Sequence, residues 1–144
     1  MQTESDLVRL MRLLLADDNP EIRETLVDML QPAHVVVAAL SDGASVLQQA
    51  ATLNPDLIIL DISLGDMAGF EVARRLTKAG VAAKVIFLTV HENIDFVRAA
   101  FDLGAVGYVY KSRISSDLID AIDTICAGRR FSSADVAASS SSSA

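Results

Sequence analysis

The chain has one cysteine, no tryptophan and three prolines, and it sets only 12 Lys and Arg against 19 Asp and Glu in 144 residues. A lone Cys126 closes no internal disulfide and fits no zinc-ligand spacing, which excludes a disulfide-stapled secreted framework and a zinc finger and points to a cytoplasmic setting. With 51% hydrophobic and 22% charged residues, the composition is that of a soluble globular chain rather than a disordered or collagenous one. The shortage of cations leaves a net charge of −7 and a sequence pI near 4.6. No basic surface is then available to neutralise phosphates, so nucleic-acid binding by this chain alone is not expected. The longest apolar run, Val35 to Leu40, is far short of the roughly 20 residues that span a bilayer, and no membrane span is expected. The first residues, Met1 to Asp6, carry acids where a secretory signal would carry bases.

What is present is a regular alternation. Leu13 to Ala16 is a continuous apolar run ended by Asp17-Asp18-Asn19-Pro20, a buried strand leading into a helix with Pro20 near its start. Ile22, Leu26, Val27, Met29 and Leu30 recur at helical spacing until Gln31-Pro32. Val35 to Leu40 reads as a second strand, Ser41 or Asp42 as the cap of a helix through Val46, Leu47 and Ala50, and Leu57 to Leu60 as a third strand ending on Asp61. The pattern repeats with a helix from Phe70 to Thr77, a turn at Gly80, a strand from Val85 to Leu88, a helix through Ile94, Val97, Ala100 and Phe101 closed by Gly104, and a strand from Val106 to Tyr110. Last comes a helix through Leu118, Ile119, Ile122, Ile125 and Cys126 ended by Gly128. Five strands alternating with five helices predict an α/β fold: a doubly wound parallel sheet of strand order 2-1-3-4-5, flavodoxin-like, with both faces covered. The organisation expected is a polar lead over residues 1–11, one folded domain over 12–128, and a linker-like, Ser-rich tail over 129–144.

In such a sheet the ligand site lies at the carboxyl ends of the strands, beside the first and third. The residues there are Asp17 and Asp18, Asp61, Thr89 and Lys111. Three converging carboxylates need a cation to neutralise them, and an all-oxygen set without His or Cys favours Mg²⁺. A divalent ion flanked by an ammonium and a hydroxyl would cradle a phosphoryl group, with Lys111 and Thr89 each contacting one oxygen and Asp61 acting as the nucleophile. No Gly-rich loop follows the first strand, which argues against nucleotide binding. The residues after Asp61, Ile62-Ser63-Leu64, offer no second acid or base, so steady phosphatase turnover is not expected.

These residues resemble the receiver domain of bacterial two-component response regulators, of the subgroup that usually precedes a helix-turn-helix DNA-binding domain. The resemblance spans roughly 12–128 and rests on Asp17-Asp18, Asp61 at the end of an apolar strand, Gly69, Thr89, Tyr108 and Lys111 in the family's order. It implies that Asp17, Asp18, Asp61 and the Ser63 backbone carbonyl hold Mg²⁺. Asp61 would accept phosphate from a sensor histidine kinase or phosphotransfer protein, Lys111 would pair with it, and Thr89 and Tyr108 would form the switch. The chain would catalyse only its own phosphorylation and dephosphorylation, and would regulate transcription through an output domain beyond the matched segment. The alternative is a phosphorylation-independent dimerisation or interaction module on the same fold.

Three positions depart from the family pattern. Leu64-Gly65 stands where Met-Pro is usual, which frees the loop over the site. Lys111-Ser112 stands where Lys-Pro with a cis bond is usual, and a non-proline cis bond costs about 2.5–4 kcal/mol. Val90, followed by His91, replaces a small residue and is expected to alter autodephosphorylation. Simpler roles compete for several residues: Asp17-Asp18 or Thr89 as helix caps, Lys111 as a solvated loop cation, Tyr108 and Cys126 as packing, and His34 as a turn or strand-edge residue. The stripe Leu118, Ile122, Ile125 reads as core, with an edge near Phe101 or Val109 as a candidate homodimer face.

Overall fold

The computed structural model describes residues 10–142. Six parallel strands form one sheet in the order β2-β1-β3-β4-β5-β6. They are β1 (Arg12–Ala16), β2 (Val35–Leu40), β3 (Leu57–Asp61), β4 (Lys84–Thr89), β5 (Gly107–Tyr110) and β6 (Phe131–Ser132). The helices are α1 (Pro20–Leu30), α2 (Gly43–Leu53), α3 (Gly69–Lys78), α4 (Ile94–Asp102), α5 (Ile114–Cys126) and α6 (Ser133–Ser142).

Strand alternation sorts the core into two layers, because successive side chains point to opposite faces. Leu14, Ile58, Leu60, Phe87 and Tyr108 pack with Val46 and Ala50 of α2, Val72 and Leu76 of α3, and Val97 and Ala100 of α4. Leu13, Leu15, Leu57, Ile59, Ile86, Leu88 and Val109 pack with Leu26 and Leu30 of α1 and Leu118, Ile122 and Ile125 of α5. All five residues of β3 are buried, as befits a central strand covered on both sides.

The helix starts follow local chemistry. Asn19, not Asp17 or Asp18, caps α1 by accepting from Glu21 N and Ile22 N, with Pro20 in the first turn. Asp42 caps α2 through Ser45 N, and Asn93 rather than Thr89 caps α4 through Asp95 N. Both acids after β1, and Thr89 at the end of β4, are thereby left for other work.

The C-terminal segment extends the expected sheet. To the five strands expected in the order 2-1-3-4-5 it adds a sixth, at Phe131–Ser132. Phe131 and Ser132 pair with Gly107 and Tyr108, which satisfies the edge of β5 that would otherwise be left unpaired. Ser133 is fully buried, accepts from Tyr110 N at 3.1 Å and donates to Asp117 Oδ2 at 2.7 Å. Ala134 and Ala137 pack on the first core layer. Of the candidate dimer edge, Val109 is wholly buried in the layer packed by α5, while Phe101 is half-buried with the Arg130 guanidinium 5.7 Å from its ring centre. The polar lead up to residue 9 lies outside the described residues. Among those described there is no cis peptide bond, so Lys111–Ser112 is trans, and Lys111–Arg113 form a single 3-10 turn into α5. No helix among the described residues is long and apolar enough to cross a membrane.

Candidate functional site

Pairing β1 with β3 sets Ala16 beside Leu60, so the residues that follow, Asp17 and Asp61, emerge side by side at the carboxyl edge. Ligand oxygens of Asp17, Asp18 and Asp61 lie within 4.8 Å of one another. Asp17 and Asp61 are buried and Asp18 is exposed, so the cluster opens to solvent on one side.

Lys111 bridges the two buried acids. Its Nζ donates to Asp61 Oδ2 at 2.9 Å and lies 2.8 Å from Asp17 Oδ2. The second approach is an ion pair without hydrogen-bond geometry, because Asp17 Oδ2 is buried and makes no hydrogen bond. The other oxygens are held: Asp17 Oδ1 accepts from Asn19 N at 2.9 Å, and Asp61 Oδ1 accepts from Ser63 N at 2.9 Å. Burial pushes the Asp61 carboxyl above the usual range, opposed by the Ser63 amide and by Lys111 and reinforced by Asp17. Burial pulls the Lys111 ammonium the other way, but Asp17 and Asp61 outweigh it and raise its pKa. One cation thus faces two buried carboxylates, and an unbonded oxygen remains among them. A hard divalent ion fits that donor set: Asp17, Asp18 and Asp61 are the residues to hold it.

Gly69 is required by the close approach of α3 to this edge. A Cβ there would press into the Asp61 carbonyl oxygen and stand 2.9 Å from Ile62 Cα, and Gly69 N donates to Ile62 O at 2.6 Å.

Thr89 and Tyr108 converge on the backbone of one residue, His91, rather than on Asp61. Thr89 Oγ1 accepts from His91 N at 3.0 Å, and the Tyr108 hydroxyl donates to His91 O at 2.6 Å. The Tyr108 ring is fully buried, edge-on to Tyr110 at 6.0 Å, and burial, with Tyr110 adding to it, pushes its phenol far up. His91 stacks on Phe96 with ring centres 4.4 Å apart, and its Nε2 lies 3.4 Å from Ser63 Oγ. Val90 is 68% exposed, so its bulk stands largely in solvent.

Two features escape sequence reasoning. Asp66, in the loop after β3, accepts from Gly43 N at 2.8 Å and Ala44 N at 3.0 Å at the start of α2; an acid 23 residues from its partner leaves no local signal. The second is the Arg113–Asp117–Ser133 network, of which only the i, i+4 spacing of Arg113 and Asp117 is visible in sequence.

Comparison with known proteins agrees with this geometry. The profile of the response regulator receiver domain matches residues 13–123. The nitrate/nitrite response regulator protein NarP of Escherichia coli is 35% identical over 113 residues, covering 77% of this chain and 53% of that protein. The positive alginate biosynthesis regulatory protein of Pseudomonas aeruginosa is 36% identical over 115 residues, covering 78% and 46%. Among solved structures, a LuxR-family two-component response regulator from Aurantimonas superposes with a TM-score of 0.82 at 34% identity, covering 90% of this chain and 94% of that one. The receiver domain of the putative response regulator NarL from Mycobacterium tuberculosis gives 0.69 at 26% identity, covering 80% and 98%.

The fold and the acidic carboxyl edge define a signal-receiving α/β domain of two-component systems. The chain belongs to the response regulator receiver domain family. Its relatives include NarL and a LuxR-family response regulator, and the chain spans about half the length of the curated relatives it matches.

Proposed function

We propose that the domain accepts a phosphoryl group on Asp61 from a phosphohistidine of a sensor kinase or phosphotransfer protein, and that this charge resets the Thr89–His91–Tyr108 unit. The observation that carries the proposal is the Asp17–Lys111–Asp61 bridge, with one ammonium 2.8 and 2.9 Å from two buried carboxylates and Asp17 Oδ2 without a hydrogen bond.

In the transfer, an Asp61 carboxylate oxygen forms a bond to phosphorus as the P–N bond of the donor breaks. The electron pair stays on the imidazole, which takes a proton from solvent. Mg²⁺ held by Asp17, Asp18 and Asp61, with the Ser63 carbonyl as a further oxygen donor, would supply the positive charge that lets two anions meet. Lys111 opposes the effect of burial on Asp61 and presents its ammonium where negative charge arrives. The Ser63 amide fixes the carboxylate by holding Oδ1.

Thr89 uses its oxygen as an acceptor from His91 N, so its hydroxyl proton is available to a phosphoryl oxygen. Reorienting that hydroxyl shifts the backbone of His91, whose carbonyl accepts from Tyr108. The switch is therefore one backbone residue, His91, held by two side chains and biased by a charged ligand. Output through transcription is the reading that the names of the regulator relatives support, and the domain would turn over only its own phosphoryl group.

Incubation with acetyl phosphate and Mg²⁺ should add one phosphoryl mass to the intact chain. The adduct should vanish in Asp61→Asn and with chelator. An unmodified wild-type mass under rapid quench, with a kinase donor as well, would leave a phosphorylation-independent interaction module.

A further inference from the structure

The loop joining β3 to α3 covers the site and carries Ser63, yet its tip is weakly held. A side chain added at Gly65 would meet nothing within 4 Å. Leu64 is buried in the core layer that also holds Val46 and Ala50 of α2, and a bridge joins Ser63 to Ala68. The polar tie from the loop to α2 is made by Asp66, whose carboxylate spans the first two amides of α2, Oδ1 on Gly43 N at 2.8 Å and Oδ2 on Ala44 N at 3.0 Å. Beside it the packing is close: a Cβ on Gly43 would stand 2.6 Å from Met67 Cγ and 2.8 Å from Val72 Cγ2. The α2 start has two acidic caps of different origin, Asp42 from its own chain end, accepting from Ser45 N at 2.7 Å, and Asp66 from the loop.

We infer that Asp66 is a positioning residue for the phosphoacceptor site, clamping the β3–α3 loop onto the N-terminus of α2 so that Ser63 is held where Asp61 and the metal need it. The inference rests on the phosphoacceptor reading above. The clamp replaces the rigidity that a proline would give the loop, at a position where this chain has Gly65. It draws on free helix-end amides and on the favourable field at a helix start. Those two amides, ahead of any other influence, hold the Asp66 carboxyl below the usual carboxylate range, so the clamp stays charged at neutral pH.

A plain helix cap would do the same for α2 without touching the chemistry, and Asp42 supplies the control. Wild type, Asp66→Ala, Asp66→Asn and Asp42→Ala are compared by Mg²⁺ titration calorimetry, by the initial rate of phosphorylation from acetyl phosphate, and by amide hydrogen exchange over residues 62–68 without metal. Expected for Asp66→Ala are about tenfold weaker Mg²⁺ binding, as when other groups that orient metal ligands are removed, a matching loss of rate, and faster exchange across the loop. Asp66→Asn, which keeps a carbonyl oxygen for Gly43 N, should recover most of each. Asp42→Ala should keep Mg²⁺ affinity, rate and loop exchange within about twofold of wild type, since it removes only a cap.

Asp66→Ala matching Asp42→Ala in all three readouts would reduce Asp66 to a cap and overturn the inference. A wild-type chain that neither binds Mg²⁺ nor takes phosphate would overturn the phosphoacceptor reading and the positioning role together. Hydrogen exchange would still show whether the clamp itself exists.

Discussion

Two buried acid–base corners lie at opposite sides of β5, and they are finished differently. At the C-terminal corner, Asp117 Oδ2 takes Arg113 Nε at 2.8 Å and Ser133 Oγ at 2.7 Å, and Oδ1 takes Ser116 Oγ at 3.0 Å. Burial would raise that carboxyl, but Arg113, Ser133 and Ser116 outweigh it and the net direction is down. At the carboxyl edge, burial wins over Ser63 and Lys111 and Asp61 is raised, while Asp17 Oδ2 has a cation nearby and no hydrogen bond. The first corner is satisfied and serves to dock β6 and α6. The second is left short of positive charge, and that shortfall suits it to bind a cation and then a phosphoryl group.

The comparison is most exposed to removal of each acid in turn. Asp117→Ala leaves Arg113, Ser116 and Ser133 without their acceptor and should cost about 2–3 kcal/mol in urea denaturation. Asp61→Asn in chelator should be neutral or stabilising by up to about 1 kcal/mol, since it removes a charge that burial disfavours. Equal losses in both would erase the distinction. Mg²⁺ sharpens it: at ten times the dissociation constant, folding stability of wild type should rise by about 1.4 kcal/mol. Asp117→Asn should keep that increment and Asp61→Asn should lose most of it, as read from denaturation midpoints with and without the ion.

Acidity gives a smaller effect with a definite sign. Folded Asp117 releases its proton more readily than the unfolded chain, so its contribution is complete above roughly pH 4 and is lost as pH falls through the lower folded value. His34 is buried and accepts from Met11 N at 3.1 Å. Burial lowers its pKa against an opposing pull from Asp123, so its contribution is complete above about pH 6.5 and declines below, where the unfolded chain takes the proton the fold refuses. His34→Asn, retaining an acceptor for Met11 N, should flatten the stability profile between pH 5 and 7. An unchanged slope would assign that dependence elsewhere.

The fold was legible where burial is two-sided. Leu57 to Leu60 and Val85 to Leu88 can only be central strands, and the order of apolar runs and helical stripes brought Asp17, Asp61 and Lys111 to one edge. The sixth strand was not legible because Phe131 and Ser132 make a strand too short to carry a period, and Ser133 resembles its polar neighbours until Asp117 and Tyr110 N are brought to it. The clamp from Asp66 to α2 was hidden for the same reason: a carboxylate in a loop is ordinary until the topology sets a helix start beside it. The polar contacts that finish the site join elements far apart in sequence, whereas apolar periodicity is local.

The central claim is that Asp61 becomes the phosphorylated residue. Treating the acetyl phosphate-reacted chain with borohydride, which reduces an aspartyl phosphate to homoserine, and sequencing the peptides by mass spectrometry tests it directly. Homoserine at position 61, absent after chelation of Mg²⁺, is the predicted result. Homoserine at position 17 or 18 instead, or at no position while the intact chain still gains the phosphoryl mass, would contradict it.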